Sequence, residues 1–306
     1  MNVLIWHVHG AWTTAFVRGR HRYYIPLVPD RGPDGRGRAQ TYEWPENAIE
    51  LTEEDASSVT FDAVVFQRPE ELGELGRRWM GDRRPGRDLA AMYVEHNAPT
   101  GDPNDMRHPI ADRDDIVLVH VTHFNDLFWD AGSTRTCVIE HGIVRPDVAY
   151  DGGVPRTAIV INEAARRKRV TGTDLIPRFE TVAPVDLFGI GADDLPQKRL
   201  HEEVARRRAY VHPFRWTSLG LALLEAMAIG MPVVALATTD VVEAVPPGTG
   251  IISTNVAALV DGLHRLYDDP QLARRMGDAA RSYAYERYNL DRFLSAWDDL
   301  LMETVG

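Results

Sequence analysis

The sequence is poor in cysteine and in lysine, and it carries no excess of positive charge. Its single cysteine, Cys137, excludes an internal disulfide and a zinc site built from cysteines, and it suits a reducing compartment. Lys168 and Lys198 are the only lysines among 34 basic residues, and the formal net charge is −11. Because polyanions bind to basic surfaces, we expect no nucleic acid polymer as a partner.

Long uninterrupted hydrophobic runs are also missing. The most apolar stretch, SLGLALLEAMAIGMPVVAL at 218–236, contains the charged Glu225 and is broken by Gly230 and Pro232. A membrane-spanning helix needs about 20 consecutive apolar residues, so we expect no transmembrane segment. The opening residues, MNVLIWHVHG, have no basic segment and no small-residue cleavage site, so they do not predict a signal peptide. These features predict a cytoplasmic protein.

The sequence does contain a repeated alternation of strands and helices. Hydrophobic residues make up 44% of the 306 residues, which is enough for the cores of two domains. Short apolar runs predict strands at 2–8, 61–67, 89–96, 115–122, 157–162 and 181–191, among others. This order predicts parallel sheets that carry helices on both faces. The segment 141–157 is rich in proline and glycine and lacks periodicity, so it predicts a linker between two doubly wound domains.

The most apolar stretch predicts a helix over 218–229. Gly230 and Pro232 end it as a C-terminal glycine and a following proline do, and Thr217 or Ser218 can cap its start. The first N–H groups of a helix that follows a strand form an anion site, because the helix dipole also favours negative charge there. We therefore expect an anionic group of a ligand at this end of the helix.

Glu225 needs a partner, because the predicted helix has no polar face on which a carboxylate would meet water. Burial of an unpaired carboxylate costs several kcal/mol. Two interpretations stay open on physical grounds. Glu225 either joins a buried salt bridge or hydrogen-bonded helix contact, or it accepts hydrogen bonds from two hydroxyl groups of a ribose.

Two segments around this helix resemble a known family of enzymes. YVHPFRWTSLGLALLEAMAIGMPVVALATTDVVEAVPPGTGIIS is similar to the C-terminal signature of retaining GT-B glycosyltransferases of the family 4 type. That signature includes Glu-Gly-Phe-Gly-Leu and, further on, Glu-Ala-Met-Ala-x-Gly-x-Pro-Val-Val-Ala. The tail LYDDPQLARRMGDAARSYAYERYNLDRFLSAW is similar to the ending of the same family. The resemblance is strong over 205–300, weaker over 157–204, and architectural in the first half.

The resemblance implies roles for residues around the predicted helix. Glu225 corresponds to the second glutamate of the family's E-x7-E motif, which holds the nucleotide ribose. Thr217 stands where the first glutamate contacts the donor sugar, and a threonine brings no charge. The other donor-binding candidates supply backbone amides or lie beside the nucleotide: Ser218, Leu219, Gly220, His212, Pro213, Gly189 and Gly191.

A run of basic residues follows the predicted strand at 157–162. The family neutralises the donor diphosphate with an arginine and a lysine in this loop, and the candidates here are Arg166, Arg167, Lys168 and Arg169. Such cations stabilise the charge that a departing nucleoside diphosphate gains in the transition state. Arg167 and Arg169 are preferred, because they share one side-chain phase if the loop is extended. The alternative is a solvated charge run without a ligand.

Histidines follow three predicted strands of the first half: His9, His96 and His123. In a doubly wound domain the carboxyl ends of the strands share one edge, so these side chains are expected to line one cleft. The resemblance implies that His9 and Gly10 approach the donor phosphates and that His96 is the catalytic histidine. The alternative for each is a loop histidine bonded to backbone. No cysteine or carboxylate stands at ligand spacing beside them, so we expect no metal.

A second basic segment, GRRWMGDRRPGR at 76–87, places five arginines beside Trp79 and Met80. One interpretation is a surface that faces an acidic or lipid acceptor. The alternative is a solvated helix end and loop, which is the commoner role of such a segment.

The patterns and the resemblance together predict an α/β protein of the GT-B fold, with two doubly wound, Rossmann-like parallel-sheet domains facing a cleft. The acceptor-binding domain is expected at 1–146 with a returning helix at 288–306, and the donor-binding domain at 147–287. The expected activity is transfer of a sugar from a nucleoside-diphosphate sugar to an unidentified small-molecule or glycan acceptor, with retention and without a metal or cofactor. The alternatives are a GT-B sugar-nucleotide epimerase and a non-catalytic nucleotide-sugar-binding protein.

Overall fold

A computed structural model describes residues 1–306, and the chain divides into two compact units. The first unit combines Met1–Gly142 with the C-terminal segment Leu290–Gly306, and the second unit is Ile143–Asn289. Each unit contains one parallel sheet, as the alternation of strands and helices predicts.

The first unit is built on a sheet of seven parallel strands in the order β3-β2-β1-β4-β5-β6-β7. The strands are β1 Asn2–Ile5, β2 Arg22–Pro26, β3 Ala48–Leu51, β4 Ala63–Phe66, β5 Ala90–Glu95, β6 Val117–His120 and β7 Thr136–Val138. The helices between them are α1 Gly10–Phe16, α2 Glu53–Ala56, α3 Glu74–Met80 and α4 His123–Phe128. The central strands are continuous apolar runs because helices cover both of their faces.

The second unit has five parallel strands in the order β12-β11-β10-β8-β9. The strands are β8 Val154–Val160, β9 Val185–Phe188, β10 Arg207–His212, β11 Val233–Leu236 and β12 Gly250–Ser253. The helices are α5 Ala164–Arg167, α6 Ile176–Phe179, α7 Gln197–Arg206, α8 Leu221–Ile229, α9 Val241–Ala244, α10 Val256–Asp268 and α11 Pro270–Arg287. The carboxyl ends of β8, β10 and β11 therefore meet at one edge, where ligands bind in doubly wound sheets.

The last helix, α12 (Leu290–Val305), packs on the first unit, as the resemblance implies. Trp297 lies edge-on to Trp12 with ring centroids 5.7 Å apart, and Phe16 contacts the same indole at 5.0 Å. All three rings are almost completely buried, so they anchor the chain end to α1. No helix of the structure combines the length and the apolar character that a membrane span requires.

Helix α8 begins later than the sequence predicts. Gly220 occupies the N-cap position in an extended conformation, with no side-chain cap, so the expected capping by Thr217 or Ser218 is wrong. The reason is that Gly220 lies directly against the ring of His212 with an extended backbone, so the helix begins only after it. The C-terminal end agrees with the prediction, since Gly230 adopts the left-handed conformation at φ 92°.

Candidate functional site

The loops at the carboxyl edge of the second sheet are tied to one another by hydrogen bonds. Between the loops after β8 and β9, the Ile190 N–H donates to Asn162 Oδ1 at 3.0 Å and the Glu163 N–H donates to the Ile190 carbonyl at 2.7 Å. Gly189 lies between them at φ 112°, and a Cβ there would stand 2.7 Å from the Ile161 carbonyl. Only glycine fits this position, so the two loops hold a fixed mutual geometry.

The loop after β10 is fixed to its neighbours in the same way. The N–H groups of Arg215 and Trp216 donate to the Val170 carbonyl at 2.8 and 3.2 Å, which joins this loop to the one after β8. On the other side, Thr238 Oγ1 donates to the Phe214 carbonyl at 2.7 Å. Four strand ends therefore share one connected rim, which preorganises whatever site they form.

The N-terminus of α8 opens into this rim beside His212. A Cβ at Gly220 would stand 2.5 Å from Cε1 of the His212 ring, which stacks on Phe214 at a centroid distance of 4.1 Å. Burial lowers the pKa of His212 to about 3, so the ring is neutral. The N-cap residue of α8, Gly220, supplies no side-chain cap, so this N-terminus can receive an anion. Pro213 and Leu219 are both buried.

We expect Gly220→Ala to destabilise the second unit by about 1–3 kcal/mol, the usual cost of an overpacked position. The reason is that the added methyl meets the His212 ring, which is buried and has no room to move. Urea denaturation of the purified protein measures the change. Gly73→Ala is the control, because its Cβ meets nothing nearer than 3.6 Å. Equal midpoints for both variants would show that the close approach of Gly220 is unimportant.

Glu225 has partners on α7 as well as an open side. Gln197 Nε2 donates to Oε1 at 2.8 Å, and His201 Nε2 lies 3.4 Å from Oε2. Burial disfavours protonation of His201, but the charge of Glu225 outweighs it and raises the pKa of His201. The Glu225 side chain keeps 12% of its surface exposed. A carboxylate accepts about four hydrogen bonds, so the helix contact leaves acceptor capacity for a ligand.

Among the four basic candidates, Arg167 alone is half-buried and without an ion pair. Arg166 pairs with Glu163, and Arg169 pairs with Asp174 at 3.3 Å. Lys168 is exposed. The Arg167 guanidinium lies over the Phe214 ring at 5.9 Å, and burial lowers its pKa.

The argument that Arg167 and Arg169 share a side-chain phase is wrong. The loop is not extended: Arg167 ends the helical turn α5, and a 3-10 turn follows over Lys168–Thr171. Lys168 has φ 40°, which reverses the local direction of the chain. The two arginines consequently have different surroundings, and Arg169 is 76% exposed.

The other donor candidates of the second unit lie on the same rim. Thr217 is half-buried and Ser218 buried, both in the loop before α8. Gly191 is exposed, with φ 85° and nothing close to its Cβ direction, so it leaves space beside the loop after β9. The loop after β9 therefore offers one glycine that packs against β8 and one that faces solvent.

In the first unit, three histidines gather at the carboxyl edge of the sheet. The rings of His9 and His96 are 4.1 Å apart, and Trp12 meets His96 edge-on at 4.9 Å. Burial lowers the pKa of His96 far below its ordinary value, and the nearby His9 and His141 lower it by smaller amounts. Burial also lowers the pKa of His141 to about 3. Sequence reasoning assigned His141 to the linker, and only its position after β7 could have pointed to this cluster.

Two further candidates of the first unit do not join the histidine rings. His123 is exposed at the first residue of α4, and no ring contact joins it to His9 or His96. Gly10 is covered by Tyr42, since a Cβ at Gly10 would stand 2.3 Å from that ring. The structure thus brings His9 and His96 together but places His123 apart. No group of three or more histidine, cysteine or carboxylate side chains is arranged to hold a metal ion.

Comparison with solved structures identifies the architecture. Sucrose-phosphate synthase from Thermosynechococcus elongatus superposes with a TM-score of 0.70 at 14% identity, over 99% of this chain and 98% of that one. The chain has the GT-B fold. HepE of Anabaena, solved in complex with UDP-glucose, superposes with a TM-score of 0.68 at 12% identity, over 99% of this chain and 100% of that one.

Sequence comparison matches part of the second unit. Residues 192–283, which include α8 and the loops after β10 and β11, match the family model described as glycosyl transferases group 1. N-acetyl-alpha-D-glucosaminyl L-malate synthase of Bacillus anthracis is 30% identical over 91 residues, 29% of this chain. D-inositol 3-phosphate glycosyltransferase of Streptomyces bingchenggensis is 37% identical over 91 residues, also 29% of this chain. The matches span 24% and 20% of the lengths of these two relatives.

Proposed function

We propose that this protein is a glycosyltransferase whose second unit binds a nucleoside-diphosphate sugar and whose first unit binds the acceptor. The observation that carries the proposal is Arg167, a half-buried cation without a carboxylate partner. It lies over Phe214, whose ring stacks on His212, and His212 in turn contacts Gly220 at the N-terminus of α8. A buried cation needs an anion, and an uncapped helix N-terminus also favours one. A diphosphate satisfies both requirements at once.

Glu225 completes the proposed donor site. It follows Gly220 by five residues on α8, which puts it about 7.5 Å along the helix from the N-terminus. A diphosphate at that N-terminus therefore leaves its ribose within reach of the carboxylate. In this proposal Gln197 holds one side of Glu225, and the ribose hydroxyls donate to its remaining lone pairs.

The proposed reaction needs charge stabilisation more than a protein nucleophile. The bond from the anomeric carbon to the diphosphate oxygen breaks, and the acceptor oxygen forms its bond on the same face, which retains the configuration. The departing phosphate oxygen takes the proton of the acceptor hydroxyl. Arg167 and the N–H groups of α8 stabilise the charge that develops on the diphosphate, without a metal.

His96 is the proposed catalytic contact of the first unit. Because burial of the ring keeps it neutral, it acts by hydrogen bonding to substrate rather than by positive charge. Its Nε2 is buried and has no partner in the structure, so a substrate hydroxyl would satisfy it. Thr217 offers the donor sugar one hydroxyl in place of a carboxylate.

Two observations support the choice of the first donors to test. HepE, a structural neighbour, was solved with UDP and with UDP-glucose. The segment 192–283 that matches the group 1 family also contains Glu225 and the α8 N-terminus. UDP and UDP-sugars are therefore the first candidates, and the acceptor is a small molecule or glycan.

A nucleotide screen followed by a turnover assay tests the proposal. We expect UDP, GDP or ADP, or one of their sugars, to increase the free energy of unfolding of the purified protein by RT ln(1 + [L]/Kd). This stabilisation is measured as a higher thermal midpoint. We also expect slow hydrolysis of the preferred donor, and NMR of the product to show retention. Nucleotide binding without hydrolysis or transfer favours the non-catalytic alternative. That alternative is considered because position 217 carries a threonine where the family has a glutamate. Absence of any nucleotide binding would overturn the proposal.

A further inference from the structure

The arginine-rich segment of the sequence forms one wall of a pocket in the first unit, of about 450 Å³. Guanidinium groups come from α3, from the loop after it and from the segment before β6: Arg77, Arg83, Arg84, Arg87 and Arg113. We call this the arginine pocket. A net charge of −11 on the whole chain makes this local concentration of cations a feature that needs its own explanation.

Few carboxylates balance the cations of the arginine pocket. Arg113 Nε pairs with Asp115 at 2.6 Å, and Arg87 approaches the same carboxylate at 3.7 Å. Arg84 pairs with Asp88, whose pKa it lowers to about 2. Asp115 is thus the only carboxylate paired with either Arg113 or Arg87, whereas Arg84 has Asp88 to itself.

The remaining arginines lack a carboxylate partner. Arg77 makes no ion pair, and Arg83 donates to the carbonyl oxygens of Met80 and Phe61 at 3.2 and 3.4 Å. Asp82, the other acidic residue that lines the pocket, makes no ion pair either. The pocket therefore carries a net positive charge that the protein does not neutralise.

The loop that carries these arginines is rigidly placed. Gly86 has φ 83°, and a Cβ there would stand 1.9 Å from the Asp115 carbonyl, so the loop lies directly against the segment before β6. The pocket borders the amino end of β5, whereas His96 follows its carboxyl end. Six residues of strand separate the two by about 20 Å. The arginine pocket is therefore remote from the histidine cluster.

We propose that the arginine pocket is a second anion-binding site that takes a phosphate group. Guanidinium groups bind phosphate oxygens in pairs, and a phosphate brings the multiple charge that several unbalanced arginines require. A single carboxylate would leave most of that charge unmatched. A phosphorylated soluble molecule and a phospholipid headgroup present the same group, and the test separates them.

Inorganic pyrophosphate is the probe for the soluble source, titrated calorimetrically into the full chain at low ionic strength. The pocket variant is Arg77→Gln with Arg87→Gln. The control variant, Arg78→Gln with Arg135→Gln, makes the same charge change at exposed ion pairs outside the pocket. We expect the pocket variant to bind pyrophosphate at least about tenfold more weakly than the control, since hydrogen bonds to charged groups are lost. All proteins carry Arg167→Gln, so that the proposed donor site contributes little.

The lipid source is tested by co-sedimentation of the same proteins with vesicles of phosphatidic acid in phosphatidylcholine. Selective loss of vesicle binding in the pocket variant assigns the pocket to a lipid headgroup, and selective loss of pyrophosphate binding assigns it to a soluble phosphate. The proposal is overturned if pocket and control variants bind pyrophosphate and vesicles equally. Because neither measurement uses turnover, this outcome is independent of the proposed transferase activity.

Discussion

Replacement of Arg167 by glutamine is expected to lower kcat/KM for the nucleotide-sugar donor by about a hundredfold to a thousandfold. Removing one preorganised donor that faces developing negative charge has an effect of about this size in other enzymes. Arg167 suits this role because it is half-buried, where electrostatic interactions are weakly screened, and because no carboxylate neutralises it. Most of the effect should fall on kcat, since the diphosphate gains charge as the glycosidic bond breaks.

Arg169→Gln is the matched control for this experiment. Arg169 lies in the same basic run, but it is 76% exposed and pairs with Asp174. We expect its kcat/KM to stay within about threefold of wild type, because exposed ion pairs are weak and the charge lies in solvent. Steady-state kinetics with the preferred donor measures both variants. Equal losses in the two variants would mean that the run acts as a diffuse charge.

The second large expected effect is a loss of stability in mild acid, caused by buried neutral histidines. Burial lowers the pKa of His7 and His120 to about 4 and that of His141 and His212 to about 3, and it lowers the pKa of His96 well below its ordinary value. In the unfolded chain these groups titrate near pH 6.5. Their stabilising contribution is therefore complete above pH 6.5 and is lost as pH falls toward the folded pKa.

Between neutral pH and pH 5, each such histidine lowers the free energy of unfolding by about 2 kcal/mol. Glu71 acts in the opposite direction, because burial raises its pKa to about 7 and the folded state takes up its proton first. Its gain at pH 5 is about 2–3 kcal/mol, which offsets only part of the loss. Since domains are stable by about 5–15 kcal/mol, we expect the urea midpoint to fall steeply between pH 6.5 and pH 5.

His120→Leu tests the histidine account directly. His120 is completely buried and its ring nitrogens have no hydrogen-bond partner, so leucine preserves the packing without a titrating group. We expect this variant to lose about 2 kcal/mol less than wild type between pH 7.5 and pH 5 in urea denaturation. His264→Leu, at an exposed position, should keep the wild-type pH dependence. An unchanged slope in His120→Leu would mean that His120 does not contribute to the acid sensitivity.

The fold could be predicted from the sequence because buried parallel strands consist of short, continuous apolar runs. The runs that became β4 and β5 are of this kind, and both lie in the sheet centre. Several short elements were not predicted. The strands β3 and β12 lie at sheet edges, where half-exposed residues interrupt the apolar pattern. Helix α1 begins directly after β1, so its apolar residues extend the strand pattern without a break.

The site could be predicted less completely, because it depends on backbone turns and on contacts between helices. The turn at Lys168 places the side chains of Arg167 and Arg169 in different surroundings, and no residue pattern predicts this turn. The partners of Glu225 lie on another helix: Gln197 and His201 are four residues apart in α7 and share one face. The spacing of Gln197 and His201 predicts that they share a helix face. The sequence does not predict that α7 packs against α8 and so brings that face to Glu225.

The central claim is that Glu225 and the N-terminus of α8 hold a nucleoside diphosphate, and calorimetry of Glu225→Gln tests it most directly. Glutamine keeps an oxygen that accepts from Gln197, so the contact with α7 survives while the charge is removed. Wild type and the exposed control Glu180→Gln should bind the preferred nucleoside diphosphate alike. Glu225→Gln should bind it about tenfold or more weakly, because hydrogen bonds from the ribose to a charged acceptor are lost. Equal affinity for all three proteins would contradict the claim.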